Sequence, residues 1–487
     1  MTTHTPRDTV VQTTAGAVRG RRTGRVTAFR GVPYAAPPVG ELRFAAPRPR
    51  EPWPGVRDAG EPGPAAPQPP SRLQQVVGPM RFDQSEDCLA LHVWTPDVVG
   101  RAPVLVWLHG GAYSSGSGGQ DWYAGDALAE RGVVVVSVNY RLGALGFLYL
   151  ADLVDGMGAG NFGLLDQLAA VRWVLDNIAA FGGDPARVTL AGQSAGALTA
   201  LALATGPSQL GVRRLILQST PGGVVPAAPG RASEVAELFL RELDLRPGQA
   251  ARLRELPVGE LLAAQQRVVP QTIRFMDLTP PFQLTADGDA VPADPIGAAL
   301  PRLAGTELLT GTTRDETNAW YALDPNVSHL TGEQAARVAA GWLGAAAPAV
   351  LARHALARPG ATPAQVLGAI ATDRIFVADT LRLAASAARA YVYRFDWRPP
   401  GPLGACHCIE LPFVFGHPEA WREAPMLAGA PAPPRLVSAL CDAWAAFART
   451  GDPAGDPAGD QGGHPAFAWR PYHPGEPEIT VLDDPAG

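Results

Sequence analysis

The sequence predicts an α/β fold, with a large, mostly parallel central sheet and helices on both faces. Three observations predict it. Residues 103–108 (PVLVWL) and 133–139 (VVVVSVN) are nearly continuous apolar runs, as expected of central strands covered on both faces. Residues 166–181 place Leu168, Val171, Leu175 and Ile178 at helical spacing, and Gly182-Gly183 stops that helix. Finally, residues 188–191 form a short β-favouring run that passes through Gly192-Gln193-Ser194-Ala195-Gly196 straight into an Ala/Leu-rich helix former. Strand, helix, strand, tight turn, helix is the order of a doubly wound sheet.

Taken in order, residues 9–35 alternate β-favouring residues with Gly-containing turns and read as antiparallel hairpin strands at a sheet edge. Residues 36–72 are proline-rich and predict an irregular surface path. Residues 87–96 (DCLALHVWTP) alternate like a half-buried strand, and 215–219 read as the strand after the Ser194 turn. Residues 225–300 and 330–386 are helical and loop-like, and both read as insertions over the catalytic edge of one domain spanning 1–487. Between and after them, 306–312 and 390–395 return to strands, and a helix is expected over about 434–449. The repeat at 451–460 (GDPAGDPAGD) lacks the ligand order and closing Glu of a calcium loop, so no calcium is expected there.

Composition excludes several chemistries. All 40 basic residues are arginine, so a Schiff-base lysine, a P-loop lysine and a Ser–Lys dyad are absent. Forty basic against 46 acidic residues, net −6, give no case for nucleic acid or an anionic membrane as partner. Cys88, Cys406, Cys408 and Cys441 are too few for a disulfide framework. The first residues lack the apolar core of a signal peptide, and no run approaches the 18 apolar residues of a membrane span. These features predict a cytoplasmic protein, with a monomer favoured.

The turn at 192–196 carries the chemistry. A strand feeding a helix this abruptly strains its apex residue, and Gly192 and Gly196 let the two backbones approach. Ser194 would then stand at a helix N-terminus, where developing negative charge is favoured. A serine hydroxyl needs a base and donors for an oxyanion. Residues 108–113 (LHGGAY) leave an apolar strand through a Gly-Gly turn, so the N–H groups of Gly111 and Ala112 are the candidate donors, joined by Ala195. Of nine histidines, His407 is the best placed as base, in a loop far downstream of Ser194. An acid should follow the strand at 306–312, and spacing leaves Asp315 and Glu316 equivalent. Cys406-His407-Cys408 is a poor tetrahedral chelate, so no metal is expected, and no cofactor.

The chain resembles the type-B carboxylesterases, the cholinesterase and para-nitrobenzyl esterase group of α/β-hydrolases. The resemblance rests on 29–35 (FRGVPYA), 37–40 with 42–44, 85–89 (SEDCL) with 93–96, 139–143 (NYRLG), 161–167 (NFGLLDQ), 181–185 (FGGDP), and 442–448 and 451–453 with 469–472. It implies Ser194 as nucleophile, His407 as base and Glu316, not Asp315, as acid, with Gly111, Ala112 and Ala195 as oxyanion donors. It also implies structural ion pairs of Arg43 with Glu86 and Arg141 with Asp166.

Departures from the family pattern are informative. Gln193 stands where many relatives carry Glu, which argues against cationic choline esters. Cys88 has no upstream cysteine to pair with, Cys408 replaces the usual glycine after the histidine, and Thr220-Pro221 replaces a small-residue pair that would help shape the pocket wall.

What the resemblance implies is a bacterial serine carboxylester hydrolase acting through an acyl-enzyme on small to medium, mainly uncharged esters. The same residues would equally serve a carbamate, an activated amide, a lactone or acyl transfer. A non-catalytic binding protein on this fold is the other reading, and the presence of Ser194, Glu316 and His407 together argues against it. Phe275, Trp320 and Tyr321 are candidates for an apolar pocket.

Overall fold

The computed structural model describes residues 7–154, 157–158, 160–208, 210–288, 290–455 and 466–484. Among them, one sheet takes strands from end to end of the chain: β1 (Arg7–Gln12), β2 (Ala17–Thr23), β3 (Val26–Pro33), β4 (Val56–Asp58), β5 (Ala90–Thr95), β6 (Ala102–Leu108), β7 (Val134–Val138), β8 (Gly183–Gln193), β9 (Arg214–Gln218), β10 (Glu307–Thr313), β11 (Arg389–Phe395) and β12 (Thr480–Leu482). Their order across the sheet is β1-β2-β3-β5-β7-β6-β8-β9-β10-β11-β12, with β4 beside β2. Along that order, pairs from β1 to β7 are antiparallel, while β4 joins β2 in parallel. From β7 through β6 to β12 every pair is parallel. The parallel part is the one that positions the site, because the C-terminal ends of β6, β8 and β10 meet on one edge.

Side-chain alternation explains the continuous apolar runs. On β6, Val104, Val106 and Leu108 join the core on one face, while Leu105 and Trp107 join the core on the other. The helix Phe162–Asn177 packs on the first face and the helix Pro434–Thr450 on the second. The helix-stop reading at Gly182 holds, with φ 78° at the end of the 3-10 turn Ile178–Phe181.

Three readings need correction. First, β5 is buried along its whole length rather than half-buried, because β3 and β7 flank it and both faces are covered. Its polar residue His92 is accommodated by accepting the Gly31 N–H at Nδ1 (3.1 Å), and burial pushes its pKa down to about 3, so it stays neutral. Second, the proline-rich stretch contains the short strand β4, and its end turns inward: Ala65, Ala66 and Gln68 are buried.

Third, residues 332–356 are by length and composition apolar enough to cross a membrane. Gly344, at φ 54° and ψ −131°, breaks the stretch into the helices Gly332–Leu343 and Ala347–Leu356, which pack against each other. At roughly 1.5 Å rise per residue, neither piece reaches across a ~30 Å hydrocarbon core. The repeat at 451–460 lies only partly inside the described residues, since 456–465 fall outside them.

Candidate active site

β8 delivers Ser194 in a backbone conformation, φ 56° and ψ −126°, that a side chain rarely adopts. The glycines around it are there for space. A methyl group on Gly192 would meet the Gly196 carbonyl, and one on Gly196 would meet the Leu108 carbonyl at the end of β6. Ser194 N–H donates to Gln218 O on β9 (2.9 Å), which fixes the turn. The helix Ala195–Thr205 begins immediately after, without a capping side chain; Ala197 and Leu198 N–H donate to Ser194 O, while the Ala195 N–H has no acceptor among the described residues and can face an anion.

The turn after β6 runs alongside. Gly111, Ala112 and Tyr113 all have positive φ (113°, 51° and 59°), a sequence that turns successive N–H groups toward one side. The Gly111 carbonyl accepts from Ser114 and Ser115 N–H (3.0 and 3.1 Å), whereas the Gly111 and Ala112 N–H groups have no acceptor among the described residues. His109 braces this turn rather than reacting. Its Nδ1 donates to Gly110 O (2.8 Å), its ring stacks on Tyr140 at 4.4 Å, and the Tyr140 hydroxyl donates to His109 O (2.7 Å). Burial pushes the His109 pKa down to about 4, so the ring is neutral.

Beyond β10, the chain brings Glu316 to His407. Glu316 Oε2 accepts from His407 Nδ1 at 2.6 Å, Oε1 accepts the Thr313 N–H at 2.8 Å, and the His407 N–H donates to the Glu316 carbonyl (3.2 Å). Both side chains are fully buried. Asp315, equivalent by spacing, turns elsewhere: it is partly exposed and accepts the Ala405 N–H (3.2 Å), holding the loop before His407. The imidazole packs against the rings of Trp320 (5.0 Å) and Phe376 (5.3 Å), which stack on each other at 6.5 Å. Phe376 comes from a π-helical turn, Asp373–Val377, in the second insert.

In the neutral imidazole, with Nδ1 donating to Glu316, Nε2 carries the lone pair. The Gln193 amide takes it, Nε2 to Nε2, at 3.1 Å, and the same amide nitrogen reaches Cys408 Sγ at 3.4 Å. Ser194 Oγ makes no hydrogen bond to His407 in this state. Burial alone would push the His407 pKa down, but the Cys408 sulfur and the Glu316 carboxylate outweigh it and hold it well above the usual value. Cys408 itself sits at φ 76°, where a glycine would be unstrained.

Ser194, His407, Gly111 and Ala112 line one cavity of about 290 Å³, together with Trp320, Trp122 and Trp421. The last two stack at 3.9 Å. Of the other aromatic candidates, Phe275 is exposed, and Tyr321 is buried away from the cavity with its hydroxyl donating to Met276 O (2.8 Å). The first insert supplies Gln265, Gln266, Val269, Leu278 and Pro281 to the wall. No wall residue comes from 330–386, which meets His407 through Phe376 and holds Thr317, next to Glu316, through Gly368 O (2.8 Å), and Thr220-Pro221 lies outside the wall. Among the described residues, no three His, Cys, Asp or Glu side chains cluster as a metal site, and all four cysteines are free thiols.

The two ion pairs are present. Arg43 meets Glu86 through two bonds (2.7 and 2.6 Å), and Arg141 meets Asp166 through two (2.8 and 2.7 Å).

Residues 7–486 match the carboxylesterase family. The chain is 38% identical to phenmedipham hydrolase of Pseudarthrobacter oxydans, covering 98% of this chain and 95% of that one. It is 36% identical to para-nitrobenzyl esterase of Bacillus subtilis, covering 97% and 94%. Among solved structures, a Geobacillus stearothermophilus carboxylesterase superposes with a TM-score of 0.83 at 36% identity, covering 98% and 96%.

Proposed function

This chain belongs to the carboxylesterase family and is a carboxylesterase with the α/β-hydrolase fold, and we propose that it works through a serine acyl-enzyme. In this reading Ser194 is the nucleophile, His407 the base and Glu316 the acid that orients it, while Gly111, Ala112 and Ala195 N–H groups receive the oxyanion. The observation that carries the reading is the 2.6 Å contact of Glu316 with His407 Nδ1, which leaves Nε2 as the lone-pair nitrogen in the cavity that Ser194 also lines.

The steps follow from that tautomer. The Gln193 amide yields Nε2, which takes the Ser194 proton as Oγ attacks the ester carbonyl. The opening π bond leaves its electron pair on the carbonyl oxygen, and the free N–H groups donate hydrogen bonds to that oxyanion. The imidazolium, stabilised by Glu316, then protonates the leaving alcohol, and water activated by the same nitrogen releases the acid. The substrates are small to medium esters, mainly uncharged, a class favoured by an amide instead of a carboxylate at position 193 and by the aromatic and apolar wall. The proposed working state is a monomer in the cytoplasm. Similarity to a protein named phenmedipham hydrolase supports a second reading, in which the same residues act on a carbamate, an activated amide or a lactone, or transfer the acyl group.

A fluorophosphonate probe tests the mechanism. The probe should label wild type once, at Ser194 by peptide mass mapping, and labelling should fall sharply in His407→Ala. Labelling elsewhere, or none, would sink the assignment.

A further inference from the structure

Arg72 lines the same cavity as Ser194 and His407, and it is the one permanently charged side chain among the lining residues. It is half-buried, yet it has no ion pair and no hydrogen bond to any described residue. A desolvated charge without a partner is costly, and folded chains rarely keep one without a use for it. Burial pushes the Arg72 pKa below the usual guanidinium value, and Asp277 acts against this only through space. Asp277 is already engaged, with Oδ1 accepting the Thr279 N–H (2.9 Å).

The backbone holds Arg72 in place. Pro69-Pro70 stiffens the approach, and Ser71 Oγ accepts the Leu73 N–H (3.1 Å) to close the turn around it. Leu73, Met80, Val269 and Leu278 make much of the same wall apolar, and no other lining residue carries a fixed positive charge to compete for an anion. A guanidinium presents a rigid fork of donors matched to a carboxylate, and its charge disfavours a cationic ligand.

We propose that Arg72 is a specificity residue, and that the preferred substrates are apolar esters carrying one carboxylate in addition to the scissile ester. This rests on the ester-hydrolase reading of the same cavity and narrows it. The uncharged character argued from Gln193 then applies around the scissile carbonyl, and the anion sits at Arg72.

Two matched pairs test it. One places the carboxylate on the acyl side, para-nitrophenyl hemisuberate against para-nitrophenyl octanoate. The other places it on the alcohol side, 4-butyryloxybenzoate against its methyl ester, which keeps the carbonyl acceptors and loses only the charge. For each pair the anionic-to-neutral ratio of kcat/KM is measured in wild type, Arg72→Gln and Arg72→Lys. In at least one pair the ratio should fall about 10- to 100-fold in Arg72→Gln, the size of one charge-assisted contact, and be partly retained in Arg72→Lys. A ratio unmoved by Arg72→Gln in both pairs overturns the proposal.

A measurement on wild type alone guards against a variant that fails to fold. 4-Hydroxybenzoate or suberate should inhibit competitively at least tenfold more tightly than 4-hydroxybenzamide or suberamide, which carry no ester to hydrolyse, and equal or weaker inhibition by both anions overturns the proposal. Should wild type turn over none of the four esters, the ester-hydrolase reading itself fails and this inference falls with it. Turnover of the neutral esters with an Arg72-independent ratio removes this inference alone.

Discussion

Replacing Glu316 with glutamine separates a true acid partner from a packing residue. Both carboxylate oxygens accept: Oε1 takes the Thr313 N–H and Oε2 takes His407 Nδ1. A glutamine has one acceptor and one donor end, so one of these contacts becomes donor against donor. With its oxygen toward Thr313, its NH2 faces Nδ1, and the imidazole must move its proton to Nε2, where it can no longer accept from Ser194. With the opposite orientation, the Thr313 N–H is left buried and unpaired. The first outcome costs ~10⁴-fold in kcat by analogy with the corresponding change in a serine protease, about 5.5 kcal/mol of barrier. The second costs roughly 1–3 kcal/mol of stability. The assay is kcat for para-nitrophenyl butyrate, with urea unfolding in parallel, for wild type, Glu316→Gln and Asp315→Asn. The asparagine retains an oxygen for Ala405 N–H and should change kcat by less than about tenfold. Glu316→Gln within tenfold of wild type, or Asp315→Asn as damaging as Glu316→Gln, would refute the reasoning.

Three further outcomes follow from buried charges. His407 acts as a base only when neutral, so its raised pKa places the acid limb of kcat/KM above the ordinary histidine range. Cys408→Gly removes the sulfur that raises it and should shift that limb to lower pH, while relief of the positive φ keeps the melting temperature near wild type; an unmoved limb contradicts the assignment. Glu410 is fully buried, and burial followed by the Glu316 charge pushes its pKa up to about 7 from the ordinary 4.5. A raised carboxyl pKa gives stability that is present below the unfolded value and lost as pH rises through the folded one. Glu410→Gln should therefore gain on wild type between about pH 4.5 and 7, levelling off at about 3 kcal/mol above that, from about 1.36 kcal/mol per pH unit; a pH-independent difference in denaturant unfolding contradicts this. Arg141→Met leaves Asp166 buried without its cation and should cost about 3–5 kcal/mol in the same assay, a loss under 1 kcal/mol counting against it.

Much of the site was legible because its chemistry is local. Gly192, Gly196 and the 109–112 turn encode tight backbone geometry in a few adjacent residues, and the strain at Ser194 follows from the strand-to-helix junction alone. The parallel core strands were legible for a similar reason, since β6 and β7 are apolar on both faces. Asp315 and Glu316 could not be separated by spacing, because one residue's difference in direction depends on Thr313 and on a loop some 90 residues downstream. Trp122 and Trp421 stack although they are far apart in the chain, and Phe376 reaches His407 through a π-helical turn that no periodicity announces. β5 misled because a histidine in an alternating run signals solvent, whereas His92 is buried and hydrogen-bonded to Gly31. Arg72 had no signal at all. Its meaning comes only from the cavity that the fold closes around it.

The most direct test of the central claim is the hydrolysis of para-nitrophenyl butyrate by wild type and Ser194→Ala in parallel. The account predicts turnover by wild type and a loss of at least about three orders of magnitude in the variant, with an unchanged unfolding curve. A correctly folded Ser194→Ala protein that keeps turnover within tenfold of wild type would contradict it.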